Sequence, residues 1–153
     1  MTRSVRKPGF SLVELAVVLA VVGVLTAIVA PRYASALTSY RLDASCRRVA
    51  SDLTYARQWA RAASAEVLVD FGPGKTTYVL TGPGPSGTTR RTAVSLADDG
   101  IDTLIAVAEF GGGSTLAFDA WGGTASGGRI TLTLGTRSRT VAVARLSGEV
   151  SVP

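Results

Sequence analysis

A chain of 153 residues that is 46% apolar and 18% charged is one domain's worth of globular sequence, which excludes a disordered or collagen-like protein. It has no histidine and a single cysteine, Cys46, so histidine-based zinc sites, Ser-His-Asp or Cys-His catalysis and an intramolecular disulfide are excluded as well. Of the formal charge of +5, three units come from Arg3, Arg6 and Lys7, and without them 13 basic side chains face 11 acidic ones.

Residues 1–9 are basic and end in Pro8-Gly9, whereas residues 10–30 are almost wholly apolar, interrupted by Ser11, Glu14, Gly23 and Thr26. As a helix at ~1.5 Å per residue, residues 10–31 would be ~33 Å long, close to the ~30 Å hydrocarbon thickness of a bilayer. Because the cations lie only on the N-terminal side, the positive-inside rule keeps Met1 cytoplasmic and carries the rest of the chain across the membrane.

An ionisable group such as Glu14 costs roughly 2.5–3.5 kcal/mol near the centre of a spanning helix, and less near its edge. Two readings compensate it. Either Glu14 lies at the interface and reaches the head groups, or it meets a partner charge. A cut between Gly9 and Phe10 would create a positive α-amine four residues before Glu14, at a helix N-terminus where carboxylates are favoured by the macrodipole.

Gly9-Phe10-Ser11-Leu12-Val13-Glu14, the apolar run behind it and then Ala30-Pro31 resemble the class III signal of type IV pilins and type II secretion pseudopilins. The resemblance implies that a prepilin peptidase cuts after Gly9 and N-methylates Phe10. It also implies that Glu14 pairs with the Phe10 amine of a neighbouring subunit, or with its own, as helices bundle into a filament. Two alternatives remain: an uncut anchor, or ordinary secretory cleavage after Ala34-Ser35-Ala36 to leave Leu37 first.

Pro31 is expected to bend the helix rather than end it. Beyond it Leu42, Cys46, Val49, Leu53, Ala56, Ala60 and Ala63 follow steps of four and three, the stripe of an amphipathic helix facing a core. Arg41, Arg47, Arg48, Arg57 and Arg61 are spread around that helix, which predicts a solvated face, supported by Asp43 one turn before Arg47. Tyr55 and Trp59 share a flank and are expected to cover the rim of a sheet, with contact to a neighbouring subunit as the alternative.

After residue 64 the texture changes: 15 of the 17 glycines follow Phe71, and period two replaces period three and a half. Candidate strands are 66–71, 77–80, 92–96, 104–108, 115–118, 129–134, 140–144 and 149–152, joined by links too short for crossover helices. The predicted fold class is α+β and pilin-like. A long N-terminal α-helix, transmembrane in its first half and amphipathic in its second, packs on an antiparallel sheet or two small ones. The expected divisions are a cleaved leader (1–9), an assembly helix (10–30), its continuation (31–64) and a β domain (65–153).

Phe118-Asp119-Ala120-Trp121-Gly122, residues 129–134, residues 140–143 and Leu146-Ser147-Gly148-Glu149-Val150 are similar to the C-terminal layout of the GspH/FimT group of minor pilins, and Leu53 to Ala63 to its helix end.

Gly82-Pro83-Gly84-Pro85-Ser86-Gly87 spells a dinucleotide loop, but Pro83 and Pro85 have no amide hydrogen to offer a phosphate, so a surface turn is expected. Asp98, Asp99 and Asp102 read as an Asp-Gly turn rather than a calcium site, since the spacing is not that of an EF-hand. No general base accompanies the serines. No enzyme, metal or cofactor is expected. Gly135-Thr136-Arg137-Ser138-Arg139 has two readings: a hairpin with idle arginines, or a cationic tip formed by Arg137 and Arg139 with Arg129, Arg145 and Arg90-Arg91 nearby, gripping a phosphate backbone. The resemblance adds that some members of the group are DNA receptors carrying a glycine-arginine-x-arginine run, which Thr136 interrupts here.

The expected function is thus a minor pilin or pseudopilin that primes or joins the tip of a filament, with DNA binding during uptake as the alternative. Its expected partners are the prepilin peptidase, other pilins and inner-membrane lipid, with DNA added under the alternative. Its sheet domain is expected in the periplasm while Glu14 and Pro31 serve assembly.

Overall fold

The computed structural model describes residues 11–97 and 103–153, the side chains of Ala30 and Pro31 excepted. Gly9, Phe10 and the run from Asp98 to Asp102 therefore lie outside the described residues. Two compact units are present, one ending at Leu37 and the other spanning Thr38 to Pro153.

Helix α1 runs Leu12–Ala63 over 52 residues, and its backbone remains helical through Pro31, so the helix does not end there. Glu14 in the first turn and Arg61 in the last are the charges that the helix dipole favours at those ends. The helix stops in a Schellman motif. Ser64 takes φ 49°, the Ala65 N–H bonds the Ala60 carbonyl at 3.2 Å, and the Ser64 N–H bonds the Arg61 carbonyl at 3.2 Å.

Among the described residues eight strands follow: β1 Val67–Phe71, β2 Thr77–Pro83, β3 Thr89–Ser95, β4 Leu104–Phe110, β5 Thr115–Phe118, β6 Gly128–Leu134, β7 Arg137–Val143 and β8 Val150–Ser151. They form two antiparallel four-stranded sheets, ordered β3-β2-β1-β5 and β4-β6-β7-β8. Every expected strand is present. The edges moved: β7 starts three residues earlier than its alternation suggested, because Arg137 to Arg139 pair with Leu132 to Leu134 of β6.

Within the second unit, the helical stripe of Leu42, Cys46, Val49, Leu53, Ala56 and Ala60 is 0–1% exposed and meets the inward residues of both sheets in one core. Ala63, expected in that stripe, is exposed, since it is the final residue of the helix and lies past the last turn that the sheets cover. Along β1 the alternation is direct: Val67, Val69 and Phe71 are buried while Asp70 is exposed. Trp59 covers the first sheet at Gly82, where an added Cβ would lie 2.9 Å from the indole ring; Tyr55 beside it stays half exposed. The proline-rich run is a hairpin connection between β2 and β3, with a 3-10 turn at Pro85–Gly87 closed by Gly84 N–H to the Thr88 carbonyl at 2.7 Å.

Candidate functional site

Two sets of residues were candidates for function, and the structure treats them differently. In the first unit, every described side chain from Leu12 to Val29 is exposed, the large apolar ones by 49–83%. Glu14 stands among them in the first turn, exposed and without a partner among the described residues. The helix is long and apolar enough to cross a membrane. A surface of this kind, a full helical circumference of valine, leucine and alanine, is stable only when lipid or other helices cover it. Pro31 lies within this helix by its backbone.

The arginines near the C-terminus do not form one tip. The turn between β6 and β7 holds only Gly135, at φ 61°, and Thr136, so Arg137 and Arg139 belong to the strand and share its inward face with Val141 and Val143. At the open end of that face they reach α1. Arg137 Nη1 donates to Ser39 Oγ, and Arg139 Nε donates to Asp43 Oδ1 at 2.9 Å. The bond to Asp43, with its charge, holds the Arg139 guanidinium above its usual pKa. The two arginines are therefore exposed but anchored to α1 rather than simply pointing into solvent. Asp43 likewise serves Arg139, 96 residues away, rather than Arg47 one turn along.

The remaining cations lie apart from this pair. Arg129 stands opposite Ala142 and Glu109 on the outward face of the second sheet. Arg145 donates from Nε to the Ala125 carbonyl at 3.1 Å. Arg90 and Arg91 are on β3, an edge strand of the other sheet. Alternation and sheet membership thus scatter a set that sequence proximity had grouped.

Sequence reasoning missed a second arginine pair. Arg57 and Arg61, expected to be solvated, donate from Nε to the carbonyls of Gly122 at 3.0 Å and Trp121 at 2.7 Å. The signal was their spacing of one turn on a helix end that the Trp121 turn closes over.

Tyr78 and Cys46 complete the electrostatics of the core. Burial, then the hydrogen bond to Asp52 and its charge, raise the Tyr78 phenol well above its ordinary range. Burial, with a smaller contribution from Asp43, pushes the Cys46 thiol up to about 11. Both are neutral core groups rather than reactive ones.

With this geometry in hand, comparisons with known proteins agree with it. The prokaryotic N-terminal methylation motif matches residues 5–30, and the family described as type II transport protein GspH matches residues 45–147. No match is found among curated proteins. The crystal structure of the type IV minor pilin FimU from Pseudomonas aeruginosa is similar in fold, with a TM-score of 0.52 at 14% identity, covering 73% of this chain and 92% of that one. The GspH match spans more than half of the chain and the motif occupies its apolar start, so the protein belongs to the GspH family, within the superfamily of type IV pilins and type II secretion pseudopilins.

Proposed function

We propose that the chain is made as a prepilin, cut between Gly9 and Phe10, methylated at Phe10, held in the inner membrane by residues 10–30 with its sheet domain in the periplasm, and then drawn into a filament that it primes or tips. The observation that carries this reading is the contrast between the two units. Residues 38–153 close their own core, whereas the helix before them exposes its apolar surface all round, with a carboxylate near its start. Such a helix needs lipid first and neighbouring helices later, and a protein–protein seam in hydrocarbon is where Glu14 gains from a cationic Phe10 amine.

The alternative, a DNA-receptor subunit, draws less support. Arg137 and Arg139 are engaged with α1, and Arg129 is on the opposite face of the sheet.

Glu14→Leu tests the assembly reading. Cleavage and membrane insertion are expected to be normal, measured by intact mass and fractionation, while incorporation into sheared filaments is lost. Assembly at the wild-type level would overturn the charge-pairing role, and a mature product still carrying Met1, or beginning at Leu37, would overturn the processing.

A further inference from the structure

Trp121 is 84% exposed, the most of any large apolar side chain described, and Leu146 is 74% exposed. The backbone beneath each is pinned. The Asp119 carboxylate accepts from the Trp121 and Gly123 N–H groups at 2.9 and 2.8 Å, while Arg61 and Arg57 hold the Trp121 and Gly122 carbonyls from α1. The turn carrying Leu146 abuts this one. Leu146 N–H donates to the Thr124 carbonyl at 2.9 Å, and a Cβ on Gly123 would lie 2.6 Å from the Leu146 carbonyl oxygen. Leu146 sits at φ 69°, a left-handed conformation unfavourable to leucine, and no burial within the chain repays it.

We propose that Trp121 and Leu146 form a rigid docking knob for a different protein chain, one that presents an apolar socket rimmed by carboxylates. A tryptophan on a pinned turn beside an aliphatic side chain, edged by arginines, has the composition of an interface hot spot. The charge at its rim identifies the occupant. Arg57, Arg61 and Arg145 each use Nε on a carbonyl of the 121–125 segment, which leaves their terminal nitrogens for acids on a partner. A second copy suits this less well: among the described acids of the domain, Asp43, Asp52, Asp70 and Asp119 accept hydrogen bonds within their own fold, Glu109 stands opposite Arg129 and Glu149 belongs to the turn of Leu146 itself, which leaves Glu66 to meet three arginines. Nucleic acid could stack on Trp121 but would gain nothing from Leu146. The inference stands apart from the pairing of Glu14, and failure of that test leaves it intact.

The experiment is photocrosslinking of the full chain in its native membranes, with p-benzoylphenylalanine in place of Trp121, alone and combined with Leu146→Asn. Asparagine tolerates the left-handed region, so the second variant keeps the turn and removes only the apolar side chain. The expected result is an adduct with one different protein, at a peptide containing Asp or Glu, whose yield falls by about fivefold or more with Leu146→Asn. Adducts confined to lipid, nucleic acid or another copy of this chain overturn the proposal. So do the absence of any adduct and a yield that Leu146→Asn leaves unchanged.

Discussion

The hydroxyl of Tyr78 on β2 donates to the Asp52 carboxylate on α1, joining helix and first sheet from a ring that is 1% exposed and stacked on Phe71 with centroids 5.2 Å apart. A phenol so enclosed needs an acceptor, and the helix supplies one in Asp52, beside Leu53 of its buried stripe.

Tyr78→Phe is expected to cost about 1.5 kcal/mol, since it keeps the ring and leaves a half-buried carboxylate without its donor. Urea unfolding of the domain from Thr38 to Pro153 measures it, and an unchanged midpoint would show that water replaces the hydroxyl without loss.

Stability should decline at alkaline pH. Tyr78 and Cys46 both have folded pKa values above their unfolded ones, so the stability they contribute is complete below the unfolded values and is lost as pH rises towards the folded ones. For Cys46 this window opens near pH 9 and extends to about 11. At pH 8, alkylation of Cys46 by iodoacetamide is expected to be more than about tenfold slower in the folded domain than in urea. Equal rates would contradict its burial.

Gly122→Ala is expected to displace the Trp121 turn. Gly122 lies at φ 75°, and an added Cβ would fall 2.5 Å from Arg61 Nε and 3.0 Å from Arg57 Cγ. A loss of about 2 kcal/mol follows from the left-handed backbone and the crowding together. Amide exchange at Trp121 and Gly123 should quicken in this variant, and protection equal to the wild type would show that the arginines are not what holds the turn.

Ser64→Gly should stabilise the protein by about 1 kcal/mol, because glycine carries no penalty at the left-handed C′ position of the Schellman motif that serine now occupies at φ 49°. Thermal unfolding reads it directly, and a lower midpoint would mean that the motif is not the end of the helix in solution.

Arg137→Gln with Arg139→Gln tests the phosphate-binding alternative. The wild-type domain is expected to give at most a weak salt-dependent mobility shift with DNA, because Arg137 and Arg139 each give one nitrogen to α1, the Arg139 charge is paired with Asp43, and Arg129 faces the other way. A strong low-salt shift abolished by the double variant would restore the receptor reading.

Periodicity made the scaffold legible. Steps of four and three from Leu42 to Ala60, and alternation such as Val67-Leu68-Val69, are properties of a few consecutive residues and need no knowledge of what lies opposite. The apolar run with Glu14 near its head was equally plain, because a charge in a membrane-length segment is anomalous in any fold.

What the chain alone determined was therefore the order, type and approximate extent of its elements, together with an apolar N-terminal helix of membrane-spanning length. Register and layer contact decided the rest: that Arg137 and Arg139 turn inward to α1 while Arg129 turns outward, and that Arg57 and Arg61 hold up an exposed Trp121. Shifting a strand by one residue reverses the face of every side chain on it, and partners such as Asp43 and Arg139 lie 96 residues apart. Local patterns carry no information about either, so only the assembled tertiary structure could assign them.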